Sequence, residues 1–182
     1  MTGAGMMDCR QALEETGGDL DKAVEELRKA SAKVALKKQD RTTAEGVIEA
    51  YIHPGAKLGV LVKLVCETDF VARNPEFQQL AKDIALQIAA MNPQYLKPED
   101  VPAEVIEKEK EIYREQLTGE GKPAAVQEKI IEGKLQKFYA DVCLYRQASI
   151  KDDKMTVEDL IVQTIAKIGE NIRVAAFTRY TL

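Results

Sequence analysis

The sequence predicts an α+β fold in which a small, largely antiparallel sheet packs against helices. Alternating apolar residues predict two strands joined by a turn at Pro54 and Gly55, which is typical of a β-hairpin. The same alternation returns at residues 172–180 and predicts a last strand. Four helical patterns lie between the hairpin and that strand, so the order is β-β-α-α-α-α-β rather than the βαβ repeat of a parallel sheet.

The composition is that of an ordinary globular protein. Of its 182 residues, 45% are hydrophobic and 31% are charged, which is enough for a buried core. The net charge of −4 argues against a protein that binds nucleic acid through a broad basic surface, so we expect no direct nucleic-acid partner. We expect no membrane span either, because no apolar run reaches roughly 18 residues. The sequence does not decide whether the chain forms a homo-oligomer.

The cysteines and the single histidine argue against both a disulfide framework and a metal site. Cys9, Cys66 and Cys143 are odd in number and widely spaced, which is typical of reduced thiols in a cytoplasmic protein. His53 is far in sequence from two of them, so no familiar metal-ligand spacing is present. We therefore expect a cytoplasmic protein with no metal and no cofactor.

The N-terminal residues 1–30 predict a small helical module. One helix follows a turn at residues 3–5 and ends near Gly17, and Asp19 is a suitable N-cap for a second helix. Because two short helices bury little surface, the module should need a third helix, which would lie before Met1.

The rest of the chain predicts a linker and a main domain. Residues 31–45 are rich in Lys and predict a basic, solvated, helical linker. Residues 46–182 predict the α+β core domain. Within it, two charged helices around a Gly-rich turn predict a helical hairpin at about residues 102–146, which would form an arm.

The second strand of the β-hairpin, at residues 57–66, leads into the most unusual connection of the chain. Apolar residues occupy both faces of this strand, which predicts burial. Asn74, Pro75 and an acid after them predict the start of a long helix. Between the two elements lies a short connection that carries Asp69 and Phe70, whereas such turns usually carry Gly, Asn, Ser or Pro.

Two interpretations of this connection remain open from position alone. In the first, Thr68 or Asp69 caps a helical turn, and Phe70 and Val71 pack into the core. In the second, Asp69 and Phe70 form a probe that inserts into a partner protein.

A search for catalytic groups gives one weak candidate. His53, Cys66, Glu67 and Asp69 could gather near the end of the β-hairpin and serve acid–base chemistry or bind a cation. However, the sequence shows no nucleophile with a positioned His and no Gly loop of the kind that holds phosphate. The residues therefore do not favour an enzyme.

Two segments together resemble the signatures of the bacterial elongation factor Ts family. The first is the run from Thr2 to Cys9, Thr-Gly-Ala-Gly-Met-Met-Asp-Cys, and the second is the run from Glu67 to Asn74, Glu-Thr-Asp-Phe-Val-Ala-Arg-Asn. The run Lys-Ile-Gly-Glu-Asn-Ile at residues 167–172 is similar to the C-terminal segment of the family. The chain resembles the short form, which has a single compact core.

The resemblance implies a guanine-nucleotide exchange factor whose partner is the GTPase elongation factor Tu. It implies that Thr68, Asp69, Phe70 and Val71, here called the tip, push into the nucleotide-binding domain of the partner and disturb its Mg²⁺ and phosphate site. Phe70 would be the wedge, and Asp69 the polar member of the tip. No bond-making chemistry is implied.

The resemblance also implies a role for the N-terminal module, which is similar to the ubiquitin-associated-like module of the family. Gly3, Gly5, Met6 and Met7 would provide further contacts to the partner. The alternative to exchange is a non-catalytic binding or chaperone-like module that holds a translation partner without accelerating nucleotide release.

Overall fold

The computed structural model describes residues 4–118 and 123–182, and these form two compact units. One unit comprises the chain up to Ala90 together with Val157–Leu182, and the other is Met91–Thr156. The first unit contains the sheet and the N-terminal helices. The division into residues 1–30, 31–45 and 46–182 rests on composition and stays a prediction.

The sheet has three strands in the order β1-β2-β3, and both pairings are antiparallel. The strands are β1 (Glu45–Ile52), β2 (Leu58–Cys66) and β3 (Arg173–Thr181). The central strand β2 buries the predicted alternate residues Val60, Val62 and Leu64, and also Val65 on its other face. The expected burial of Leu61 on that other face is wrong, since its side chain is 48% exposed. The predicted α+β class and its antiparallel sheet are confirmed.

Seven α-helices accompany the sheet in the described residues. They are α1 (Met6–Glu15), α2 (Leu20–Leu36), the single turn α3 (Asp69–Ala72), α4 (Pro75–Met91), α5 (Ala103–Leu117), α6 (Ala124–Val142) and α7 (Val157–Ile168). Short 3₁₀ turns lie at Pro98–Asp100 and Leu144–Arg146. No helix in these parts of the chain is long and apolar enough to cross a membrane.

The helix α4 contributes the largest buried side chains of the first unit. Phe77 and Ile88 are fully buried, and Ile84 nearly so. Each such side chain stabilises the fold by about 1.5–3 kcal/mol through removal of apolar surface from water. Arg179 of β3 donates a hydrogen bond to the Ala89 carbonyl oxygen at the end of the helix (3.4 Å). The helix that follows the tip is therefore firmly anchored.

The N-terminal helices α1 and α2 pack around a small apolar cluster, and α2 also packs against α7. The Asp19 side chain accepts a hydrogen bond from the Lys22 backbone N–H, as the N-cap prediction required. The helix α2 runs on to Leu36 and buries Ala35, so the first part of the predicted linker is a packed continuation of this helix.

The second unit contains the two helices predicted to form a hairpin. The helices α5 and α6 pack against each other. Lys134 of α6 donates a hydrogen bond to the Gln116 side chain of α5 (2.5 Å), and its ammonium lies 5.3 Å from the Tyr113 ring centroid. Most of the predicted Gly-rich turn, residues 119–122, lies outside the described residues.

The start of β1 tolerates only glycine. Gly46 has a φ of 153°, and a Cβ atom there would lie 2.2 Å from the Leu64 carbonyl oxygen of β2. In contrast, Gly133 lies in the middle of α6, and a Cβ atom there would meet nothing within 4 Å.

We expect Gly46→Ala to lower the free energy of unfolding by at least about 2 kcal/mol, because the clash is with backbone atoms. The control Gly133→Ala should raise it by about 0.5–1 kcal/mol, because alanine favours the helix. Urea unfolding followed by circular dichroism measures both. Similar effects of the two variants would contradict the close approach of β1 to β2.

The three cysteines should differ in the rate at which their thiols react. Burial raises the pKa of Cys66 and of Cys143 to about 11, and both side chains are fully buried, whereas Cys9 is half-buried. Because only the thiolate reacts, we expect Ellman's reagent at pH 8 to modify Cys9 first, and all three cysteines only in denaturant. Because burial disfavours the thiolate in the folded state, the free energy of unfolding should fall as the pH rises from 9 towards 11. Equal rates for the three cysteines of the native protein would contradict the burial.

Candidate functional site

The tip lies between the end of β2 and the start of α4. Side chains cap both the single turn α3 and the following helix α4. The Thr68 hydroxyl accepts a hydrogen bond from the Val71 backbone N–H (3.4 Å), so Thr68 is the N-cap of α3. The Asn74 side chain accepts one from the Glu76 backbone N–H (2.8 Å) at the start of α4. Between them, Ala72 is buried and holds the turn against the protein.

Phe70 projects from this turn into solvent. Its side chain is 89% exposed, although Phe77, a few residues later, is fully buried. Val71 is half-buried, and Asp69 is exposed. The expectation that Thr68 caps a helical turn therefore agrees with the structure. The expectation that Phe70 packs into the core is wrong, because α3 buries only Ala72.

Asp69 is held by an ion pair within the same turn. Its carboxylate lies 2.7 Å from the Arg73 guanidinium, one helical turn along the chain. Both side chains are more than half exposed, so the pair contributes little to stability. Its effect is local, because it joins two residues of the same turn.

The backbone at the start of the tip is bound by the carboxylate of a residue more than 100 positions later in the chain. Glu170, just before β3, accepts hydrogen bonds from the Glu67 backbone N–H (3.1 Å) and the Thr68 backbone N–H (3.0 Å). It also accepts one from the Thr68 hydroxyl (2.6 Å). Three donors of the connection therefore converge on one side chain.

A second carboxylate, that of Glu67, binds the backbone next to Glu170. Glu67 accepts a hydrogen bond from the Asn171 backbone N–H (2.6 Å), and the Arg41 guanidinium lies 3.5 Å from the same oxygen. The buried Asn171 amide in turn donates to the carbonyl oxygens of Gln39 (3.1 Å) and Arg41 (2.9 Å). Glu67, Glu170 and Asn171, here called the clamp, thus join three segments of the chain.

The sequence-based site did not include Glu170 or Asn171. Their contacts to Glu67 and Thr68 span more than 100 residues of chain, so no local pattern indicates them. The one available signal was the run at residues 167–172, which resembles a family segment but was assigned no role.

The acid–base cluster considered from the sequence does not assemble. His53 lies beside the hairpin turn, where its backbone N–H bonds to Leu58, and its ring lies 2.9 Å from the Tyr51 hydroxyl. Glu67 follows the opposite end of β2, roughly 25 Å away at about 3.3 Å per residue. The Cys66 thiol donates to the Thr68 carbonyl oxygen (3.2 Å). Within residues 4–118 and 123–182, no three His, Cys, Asp or Glu side chains are placed to hold a metal ion.

The N-terminal residues predicted to contact a partner lie at the start of α1. Gly5 is the N-cap of this helix. Met6 is 90% exposed and Met7 is 72% exposed, so both present flexible apolar side chains to solvent. Gly3 lies outside the described residues.

Comparison with known proteins gives matches that cover all or nearly all of this chain. The sequence profile of the family described as "Elongation factor TS" matches residues 8–182. Elongation factor Ts of Thermotoga petrophila is 59% identical over 182 residues, which are 100% of this chain and 90% of that protein. Elongation factor Ts of Thermosipho melanesiensis is 59% identical over 181 residues, 100% of this chain and 92% of that protein. Elongation factor Ts of Carboxydothermus hydrogenoformans is 57% identical over 181 residues, 100% of this chain and 83% of that protein.

These matches agree with the signature segments and with the α+β fold. The chain therefore belongs to the elongation factor Ts family, the guanine-nucleotide exchange factors of elongation factor Tu, and is an exchange factor rather than an enzyme.

Proposed function

We propose that this protein accelerates GDP release by inserting its tip into the nucleotide-binding domain of elongation factor Tu, with Phe70 as the wedge. The single observation that carries the proposal is the 89% exposure of Phe70 on a turn that is capped by Thr68. The insertion disturbs the Mg²⁺ and phosphate site of the partner. We place this interaction in the cytoplasm.

The energy for insertion comes from the phenyl ring. An exposed Phe contributes little to the fold, but its complete burial in a partner pocket is worth about 1.5–3 kcal/mol. Large, rigid aromatic anchors of this kind often dominate binding energy at protein interfaces. Since the ring of Phe70 is already in solvent, no part of the folded core has to open before it binds.

Exchange follows from this binding through thermodynamic linkage. If the tip binds a form of the partner that holds GDP weakly, then GDP weakens the binding of this protein by the same factor. A new nucleotide then displaces the protein, and the cycle needs no bond-making chemistry. Asp69 does not have to ligate the Mg²⁺ ion, because displacement of the surrounding residues is enough.

The N-terminal helices provide a second contact in this proposal. Gly5 begins α1, and Met6 and Met7 place apolar side chains on its exposed first turn. These residues add affinity without reaching the nucleotide site, so residues 1–30 act as a binding module and residues 46–182 as the exchange core. Gly3 is included on the resemblance alone.

We expect Phe70→Ala to reduce stimulated GDP release by roughly thirtyfold at subsaturating concentrations, which corresponds to about 2 kcal/mol of lost binding energy. Release of a fluorescent GDP analogue from elongation factor Tu measures this. The thermal stability of the variant should stay near that of the wild type, because Phe70 is 89% exposed.

Tyr180→Ala is the matched control for this variant. Tyr180 is also an exposed aromatic residue (74%), but it pairs with Gly59 at the other end of the sheet, more than about 20 Å from the tip. Stimulation by Phe70→Ala equal to that by Tyr180→Ala would refute the wedge. If the wild type itself binds elongation factor Tu without accelerating release, the protein is the non-catalytic binding module instead.

The N-terminal contact should affect affinity alone. We expect the double variant Met6→Ala, Met7→Ala to raise the concentration for half-maximal stimulation by roughly fivefold, about 1 kcal/mol, with the maximal rate unchanged. A titration of the same GDP-release assay measures both quantities. Leu20→Ala, which removes another exposed side chain (58%) at the start of α2, is the control. A lower maximal rate in the double variant would contradict a purely binding role.

A further inference from the structure

The clamp accepts hydrogen bonds from backbone N–H groups that follow β2 and have no partner in the sheet. Where the strand ends, the backbone N–H groups of Glu67 and Thr68 lose the regular pairing of the sheet. Both N–H groups donate to the same oxygen of Glu170, at 3.1 and 3.0 Å, while the other oxygen accepts the Thr68 hydroxyl at 2.6 Å. Hydrogen bonds to an ionised acceptor are stronger than those between neutral groups.

In the clamp, each of the two segments provides a carboxylate that binds backbone N–H groups of the other. Glu170 holds the backbone of residues 67 and 68, and Glu67 holds the backbone N–H of Asn171 at 2.6 Å. Such an exchange between neighbouring residues of two segments fixes their distance and also their relative rotation. The Asn171 amide ties the same point to the carbonyl oxygens of residues 39 and 41.

The tip begins at the last residue of this arrangement. Phe70 is two residues beyond Thr68, and its exposed ring has little packing of its own to fix its direction. The direction is therefore set by the extended backbone of Thr68 (φ −127°, ψ 154°) and by the single turn of α3. The Thr68 hydroxyl takes part in both arrangements, since it donates to Glu170 and accepts the Val71 N–H.

We propose that Glu170 is a positioning residue for nucleotide exchange: it holds the start of the tip in the binding-ready conformation in the free protein. The tip then loses little conformational freedom when it binds, which raises affinity without any contact from Glu170 to the partner. The inference rests on the proposed role of Phe70 as the wedge.

Glu170→Gln tests the proposal. Glutamine has nearly the same shape, but it is neutral, so its oxygen accepts the two backbone N–H groups more weakly, and its amide nitrogen cannot accept the Thr68 hydroxyl. We expect faster hydrogen exchange at the amides of Glu67 and Thr68 in the free protein. The half-saturating concentration in the GDP-release assay should rise roughly tenfold, because only a fraction of the free protein is then binding-ready. The maximal rate should not change.

Glu25→Gln is the control for the lost charge. Glu25 lies on α2 in the same unit, its side chain is 65% exposed, and it pairs only with Lys29 among the ion pairs described. This variant should leave both the half-saturating concentration and the hydrogen exchange at residues 67 and 68 as in the wild type. Hydrogen exchange at Val62 and Val174, which are buried in the sheet, reports whether either variant has lost its fold.

A double-mutant cycle separates positioning from general destabilisation. If Glu170 acts through the direction of Phe70, then Glu170→Gln should change the dissociation constant for elongation factor Tu much less in the Phe70→Ala background. The same fold-change in both backgrounds would overturn the proposal, as would an unchanged half-saturating concentration in the single variant. If Phe70→Ala itself has no effect, the wedge fails, and the hydrogen exchange of the free protein still decides whether Glu170 orders the start of the tip.

Discussion

The proposed binding surface of this protein depends on backbone N–H groups that are left without a strand partner where β2 ends. A strand that turns into a helix must satisfy such donors with side chains or water, because unpaired buried donors are costly. Here Glu170 satisfies two of them, and Glu67 satisfies the N–H of Asn171 in return. A junction that could have been a weak point of the fold is thereby held by several side-chain hydrogen bonds.

This arrangement separates the residue that we propose binds a partner, Phe70, from those that maintain the fold. Phe70 is 89% exposed and can be removed at little cost to the fold, whereas Ala72 and Phe77 on either side of Asn74 are buried and anchor the connection. Single exposed apolar side chains are common on protein surfaces, but Phe70 stands on a turn that Thr68 caps and Glu170 binds. In the proposed function, insertion into the partner buries this ring.

Much of the fold could be predicted because its signals are local. Alternation along β2, the N-cap at Asp19 and the start of α4 at Pro75 are each encoded within a few residues. The clamp could not be predicted in this way, since Glu170 and Thr68 are 102 residues apart and hydrogen bonds carry no periodicity. The predicted gathering of His53 with Glu67 is wrong for a different reason: a residue at the hairpin turn is necessarily distant from the other end of β2.

The clamp joins the two distant segments that resemble family signatures. The run around Phe70 supplies the proposed wedge but only one of the two carboxylates, and the run at residues 167–172 supplies Glu170 and Asn171. Neither segment can hold the tip alone, because each satisfies the backbone donors of the other. A phenyl ring whose direction is fixed before the encounter loses less freedom on binding, so under the proposal the second segment raises affinity through the position of the tip.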